Sequence, residues 1–145
     1  MINENSTLAE LNAINKGTMM EHLHIEYLEV RKGFVKAQMP VNEKTKQPAG
    51  ILHGGANVVL AETVGGLGSL LLVDFKQFDV RGSQISANHV GTAHTGFVFA
   101  EANIIHEGKN THVWNIDIRD EEGRLISTCR LTNFIIKRNS NATKA

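Results

Sequence analysis

One cysteine in 145 residues, Cys129, leaves no partner for an intramolecular disulfide and no cysteine cluster for a metal, so neither is expected and the thiol reads as a small buried hydrophobe. Charge of one sign is lacking too, because 15 basic residues cancel 15 acidic ones. A long phosphate backbone or an anionic membrane is therefore not the expected partner, while a small anionic ligand is compatible with neutrality. The opening MINENSTLAELNAINKG has no basic stretch followed by an apolar run. A secretory leader is not expected, and the cytoplasm is the default location. Sequons at Asn5-Ser6-Thr7 and Asn141-Ala142-Thr143 carry no meaning without export. Repeats, linkers and a glycine-rich phosphate loop are missing as well. The length suits one domain over residues 1–145, able to bury roughly two thirds of its unfolded surface.

What is present begins with two capping boxes, Thr7 with Glu10 and Thr18 with Glu21, separated by Gly17. They predict two short helices over about 7–22. Two extended runs, HIEYLEV and FVKAQMPV, flank Arg31-Lys32-Gly33 and predict a hairpin. The polar loop NEKTKQPAG leads into ILHGGANVVLAETVGGLGSLLLV, residues 51–73. That segment is long enough to suggest a membrane span, but His53, Asn57, Glu62 and its glycines interrupt it. It reads as a core helix from about Gly54 to Val73. Beyond it the period changes to two: a strand from roughly Gln77 to Val90, then Val98-Ala100-Ala102-Ile104, His112-Trp114-Ile116-Ile118 and Leu125-Ser127-Cys129-Leu131, joined by turns at Gly108-Lys109-Asn110 and Glu121–Arg124. A polar tail follows from about 138 to 145. The order predicts an α+β architecture in which a twisted antiparallel sheet wraps a long central helix. Gly65, Gly66 and Gly68 fit close approach of strand backbone to that helix.

Glu62 is the residue that draws attention. A helix apolar on nearly all sides belongs inside a protein, and a carboxylate there is costly unless it has partners or a task. The bland alternative is that it emerges to water. At the start of the same helix, His53-Gly54-Gly55 combines unpaired N–H groups, the positive end of the helix dipole and no side chain to obstruct a ligand. The Gly55 N–H is placed to donate to an oxygen gaining negative charge, with side-chain donors from His53 and Gln47. Each element has an ordinary reading: a tight turn for the glycines, a cap or core role for His53, a solvated loop position for Gln47.

Taken together, QPAGILHGGANVVLAETVGG, ISANHVG and HEGKNTHVWNIDIRDEEGRLISTCRLTNFII resemble the hot-dog-fold acyl-CoA thioesterases over about residues 8–136. The nearest branch includes the phenylacetate-pathway (PaaI-like), Glu-type 4-hydroxybenzoyl-CoA and 1,4-dihydroxy-2-naphthoyl-CoA thioesterases. The resemblance implies that Glu62 is the catalytic carboxylate, as nucleophile on the thioester carbonyl or as general base for water. Gly55 is implied as the backbone donor that polarises the C=O, with His53 and Gln47 orienting it. It also implies an acyl-CoA substrate, most naturally an aromatic one, with no cofactor beyond the coenzyme A of the substrate. Glu62 has Gly66 four residues on, where these relatives commonly carry Ser or Thr. Asn88 and His89 lie in a segment that borders the acyl pocket in similar proteins, and on pattern alone His89 is equally a core histidine. Lys109, Lys137 and Arg138 are candidates for the coenzyme A phosphates, against the ordinary expectation of solvated surface cations.

Gly55 and Glu62 are seven positions apart, ~10 Å along a helix axis, so one helix cannot easily serve one carbonyl with both groups. A homodimer with shared sites is expected, and the resemblance implies dimers paired into a homotetramer. Two rival readings share the architecture: a 3-hydroxyacyl-thioester dehydratase, and a non-catalytic acyl-CoA-binding protein that would not need Glu62.

Overall fold

The computed structural model describes residues 2–139. The chain opens with α1 (Leu8–Ala13) and α2 (Met19–His22), followed by β1 (Glu26–Arg31) and β2 (Phe34–Pro40). Next come α3 (Gly54–Leu71), β3 (Phe78–His89), β4 (Phe97–Glu107), β5 (Thr111–Asp120) and β6 (Leu125–Lys137). The polar tail expected from about 138 lies outside the described residues from 140 onward.

Thr7 caps α1 as its spacing predicts: its side chain accepts from the Glu10 N–H, and Glu10 Oε2 accepts from the Thr7 N–H at 2.8 Å. At Thr18 the capping box does not form. The Thr18 hydroxyl is taken by the Asn15 carbonyl at 2.5 Å, and Glu21 reaches past it to the Gly17 N–H at 2.6 Å. Neither half of the reciprocal pair is made, and α2 is a single turn.

All strand pairs are antiparallel and the sheet order is β1-β2-β4-β5-β6-β3. The hairpin turns at Lys32-Gly33, where Gly33 adopts φ +74. The sheet packs against α3 through β2 to β6. Alternate residues point at the helix, Val98, Ala100 and Ala102 from β4 and Trp114, Ile116 and Ile118 from β5, all fully buried. They meet Leu60, Ala61, Val64 and Leu67 of α3. Removing this much apolar surface from water is the main favourable contribution to folding.

Two of the three helix glycines are crowded, but by side chains of the sheet and not by strand backbone as expected. A Cβ on Gly65 would lie 2.5 Å from Leu131 Cδ2, and one on Gly68 would overlap the Trp114 ring. Gly66 differs from the expectation, with nothing within 4 Å of the Cβ position. It turns away from the sheet, so its lack of a side chain leaves open space instead of admitting a strand. No helix among the described residues is long and apolar enough to cross a membrane.

Candidate active site

The start of α3 is organised by His53. Its backbone is extended (φ −70, ψ 134) and its Nδ1 accepts the Gly55 N–H at 2.8 Å. An amide N–H can only donate, so Nδ1 is the acceptor and a neutral ring carries its proton on Nε2. This changes one expectation: the Gly55 N–H is not free but capped. Orphan N–H groups at a helix start take the nearest acceptor. A substrate oxygen must displace the imidazole or share the N–H with it.

A second histidine closes the same end. A Cβ on Gly54 would lie 2.7 Å from His89 Nε2, while His89 Nδ1 sits 3.0 Å from Ser127 Oγ. Ser127 Oγ also lies 3.3 Å from the Asn88 carbonyl, and these contacts hold the ring with Nε2 toward the helix start. His89 is exposed at the end of β3, so the core-histidine alternative does not hold. Of Asn88, the backbone carbonyl is engaged and the residue is exposed. Gln47 lies in a built turn, its N–H donating to Ile51 O and its carbonyl accepting from Gly50 N–H, both at 2.9 Å. The His53 N–H returns to Thr45 O at 2.8 Å, which fastens the loop to the helix entry.

Glu62 does not lie in the interior of the chain. It is exposed, on the face of α3 that the sheet leaves uncovered. One sheet covers one side of a helix, and on the opposite face Val59, Gly66 and Leu70 stay partly exposed. Around Glu62 that face forms two clefts. The larger, about 380 Å³, lies beside α2 and the turn before it, with Met19, Met20, Tyr27, Val59 and Leu67 in its walls. Burial pushes the Tyr27 phenol up to about 12. The smaller, about 230 Å³, is bounded by Gly66, Leu70, Val80, Gly82 and Asn133.

The cationic candidates gather elsewhere. Lys109 is exposed in the β4–β5 turn, and Lys137 pairs in register with Phe78, eleven positions along β3 from His89. At ~3.3 Å per residue that places Lys137 and His89 at opposite ends of the sheet. Arg138 is already engaged, its Nη2 2.8 Å from Asp79 Oδ1. Within one chain, then, His53, Gly55, Gln47 and His89 occupy one end of α3, Glu62 its middle, and Lys109 and Lys137 the other end.

Sequence reasoning passed over Asn133. It continues the inward alternation of Cys129 and Leu131, and a polar side chain at an inward strand position was the available signal.

A long helix held by an antiparallel sheet, with a carboxylate on its open face and a glycine-histidine entry, is the arrangement of a hot-dog-fold enzyme. The chain belongs to the thioesterase superfamily, whose family description matches residues 49–127. It is 43% identical over 130 residues to the 1,4-dihydroxy-2-naphthoyl-CoA hydrolase of Escherichia coli K12, covering 90% of this chain and 95% of that one. It is 40% identical over 130 residues to the proofreading thioesterase EntH of Klebsiella pneumoniae, covering 90% and 94% respectively. Among solved structures, a thioesterase from Haemophilus influenzae superposes with a TM-score of 0.90 at 38% identity, covering 99% of this chain and 100% of that one. The protein is a thioesterase.

Proposed function

We propose that this thioesterase hydrolyses acyl-CoA, aromatic acyl-CoA among its best substrates, in the cytoplasm, with Glu62 as the group that activates water or attacks the carbonyl. The observation that carries the reading is the Glu62 carboxylate at the mouth of an apolar cleft on the open face of α3. A flat acyl group suits a slot walled by Val59, Leu67 and two methionines, and the name of the Escherichia coli relative supports an aromatic CoA thioester.

In the general-base form, the water oxygen bonds to the thioester carbon and its proton passes to Glu62. The C–S bond then breaks, and the departing thiolate recovers the proton. The Gly55 N–H, freed from His53 by the arriving carbonyl, steadies the oxyanion. Because Gly55 and Glu62 are ~10 Å apart along one axis, the reading includes a twofold pair of chains with antiparallel α3 helices. That pairing would bring Glu62 of one chain beside Gly55 of the partner subunit and leave Lys109 and Lys137 farther along, where the two lysines would meet the coenzyme A phosphates. Arg138 would have to leave Asp79 to join them.

The test is a panel of aromatic and straight-chain acyl-CoAs monitored by thiol release, with wild type and Glu62→Gln. The variant is expected to lose hydrolysis by at least about 10²-fold while still binding substrate. Undiminished turnover would remove Glu62 from the mechanism.

A further inference from the structure

Hydrolysis at Glu62 needs more than a base, because a water held by one hydrogen bond still rotates about it. The smaller cleft beside Glu62 contains a second acceptor whose direction is set from within the core. Asn133 is 1% exposed. One end of its amide lies 3.1 Å from the Gly65 carbonyl and 2.9 Å from Ser69 Oγ. A carbonyl can only accept, so that end is Nδ2 and the other is Oδ1.

Ser69 makes the arrangement rigid. Its oxygen receives Trp114 Nε1–H at 2.8 Å and Asn133 Nδ2–H, which fills both lone pairs, so its own proton goes to His112 Nδ1 at 3.0 Å. All four side chains are buried. The amide cannot turn over without opposing two donors or two acceptors.

Asn133 Oδ1 accepts no hydrogen bond from the described residues, and Asn133 lines the cleft that Glu62 opens into. Gly82 shows where the two meet: a Cβ there would lie 3.2 Å from Glu62 Oε1 and 3.8 Å from Asn133 Oδ1. Two acceptors thus flank one small space, kept open by a glycine on β3. One helical turn beyond Glu62, Gly66 also puts no side chain into it.

We propose that Asn133 Oδ1 and the Glu62 carboxylate hold the hydrolytic water between them, Asn133 fixing its orientation and Glu62 taking its proton. This deepens the acyl-CoA hydrolase reading and rests on it. Water has two protons, and giving each a fixed acceptor aims a lone pair away from both, toward the thioester carbon. The C–O bond forms from that lone pair, and one proton moves to Glu62. The other stays on the new hydroxyl, hydrogen-bonded to Asn133 until the C–S bond breaks and the thiolate takes the proton from Glu62. An amide oxygen is too weak a base to compete for the proton, so its part is orientation alone.

The experiment measures kcat, KM and melting temperature on the acyl-CoA that wild type turns over fastest. Gly82→Ala places a methyl group in the water's space against a carboxylate end that is free to yield. It is expected to lower kcat about 10²-fold, with KM and melting temperature unchanged. Asn133→Leu removes Oδ1 while keeping the number and branching of side-chain heavy atoms, and should show the same kcat defect. Adding Gly66→Ser, which offers a hydroxyl acceptor to the same cleft, should recover about tenfold of it, as a purely structural role for Asn133 would not allow. Wild-type kcat in Gly82→Ala overturns the proposal, as does an Asn133→Leu defect that Gly66→Ser leaves untouched. If Asn133→Leu does not fold, Gly82→Ala decides alone. Full activity of Glu62→Gln would instead bring down the underlying reading, and is seen in a separate assay.

Discussion

His112 shows how much one proton decides at the scale of a residue. Its Nδ1 must stay bare to receive the Ser69 hydroxyl, whose lone pairs are already filled by Trp114 and Asn133. Burial holds its pKa below the ordinary value of 6.5; Glu107 pulls the other way, and His106 adds to the lowering. Well above pH 6.5 the ring is neutral in both folded and unfolded chains and contributes no pH dependence. As pH falls below 6.5 the unfolded chain takes up a proton that the folded chain refuses, so stability declines until the lowered folded value is reached, then levels. His112→Gln keeps an acceptor for Ser69 but does not titrate, and urea unfolding at stepped pH should show a flatter profile below 6.5. An unchanged profile would mean that His112 is not the group responsible.

At the scale of the element, α3 has two unlike faces, and its glycines report them. The sheet face is packed so closely that Gly68→Ala drives a methyl group into Trp114 and should destabilise by about 1–3 kcal/mol. The open face has room, and Gly66→Ala should leave stability unchanged or raise it by up to about 1 kcal/mol through helix propensity alone. Denaturant midpoints of the two variants test the contrast, and equal losses would contradict the assignment of faces. From sequence the three glycines looked alike, because composition says nothing of which way each Cα turns relative to the sheet. The same ambiguity made Glu62 read as an interior residue, since Val59, Gly66 and Leu70 are as apolar as the residues that the sheet does cover.

For the whole molecule, the twofold pair proposed above would use the open face of α3 and the exposed edge strand β3. An inactive Glu62→Ala chain refolded with an inactive Gln47→Ala chain should recover activity if one site draws on two subunits. Verified hybrids that stay inactive would place each site within one chain. Much of the architecture was legible beforehand, because local physics writes it: period-two alternation marks β4, β5 and β6, a lone glycine turns the β1–β2 hairpin, and His53-Gly54-Gly55 opens a helix by supplying a cap and clear space. These signals depend on neighbours along the chain and need no knowledge of the fold. Glu62 likewise stood out by its chemical oddity in an apolar run, and its role is the one proposed above. What only the tertiary structure decided are the relations between distant segments. It decided that His53 occupies the Gly55 N–H, that Asp79 holds Arg138, and that the cationic residues lie at the far end of the sheet from His89. It decided too that Asn133, more than sixty positions from Gly65 and Ser69, is oriented by them toward Glu62. Hydrogen-bond direction and the choice of covered face arise only when strands and helix are packed, which is why no pattern along the chain could announce them.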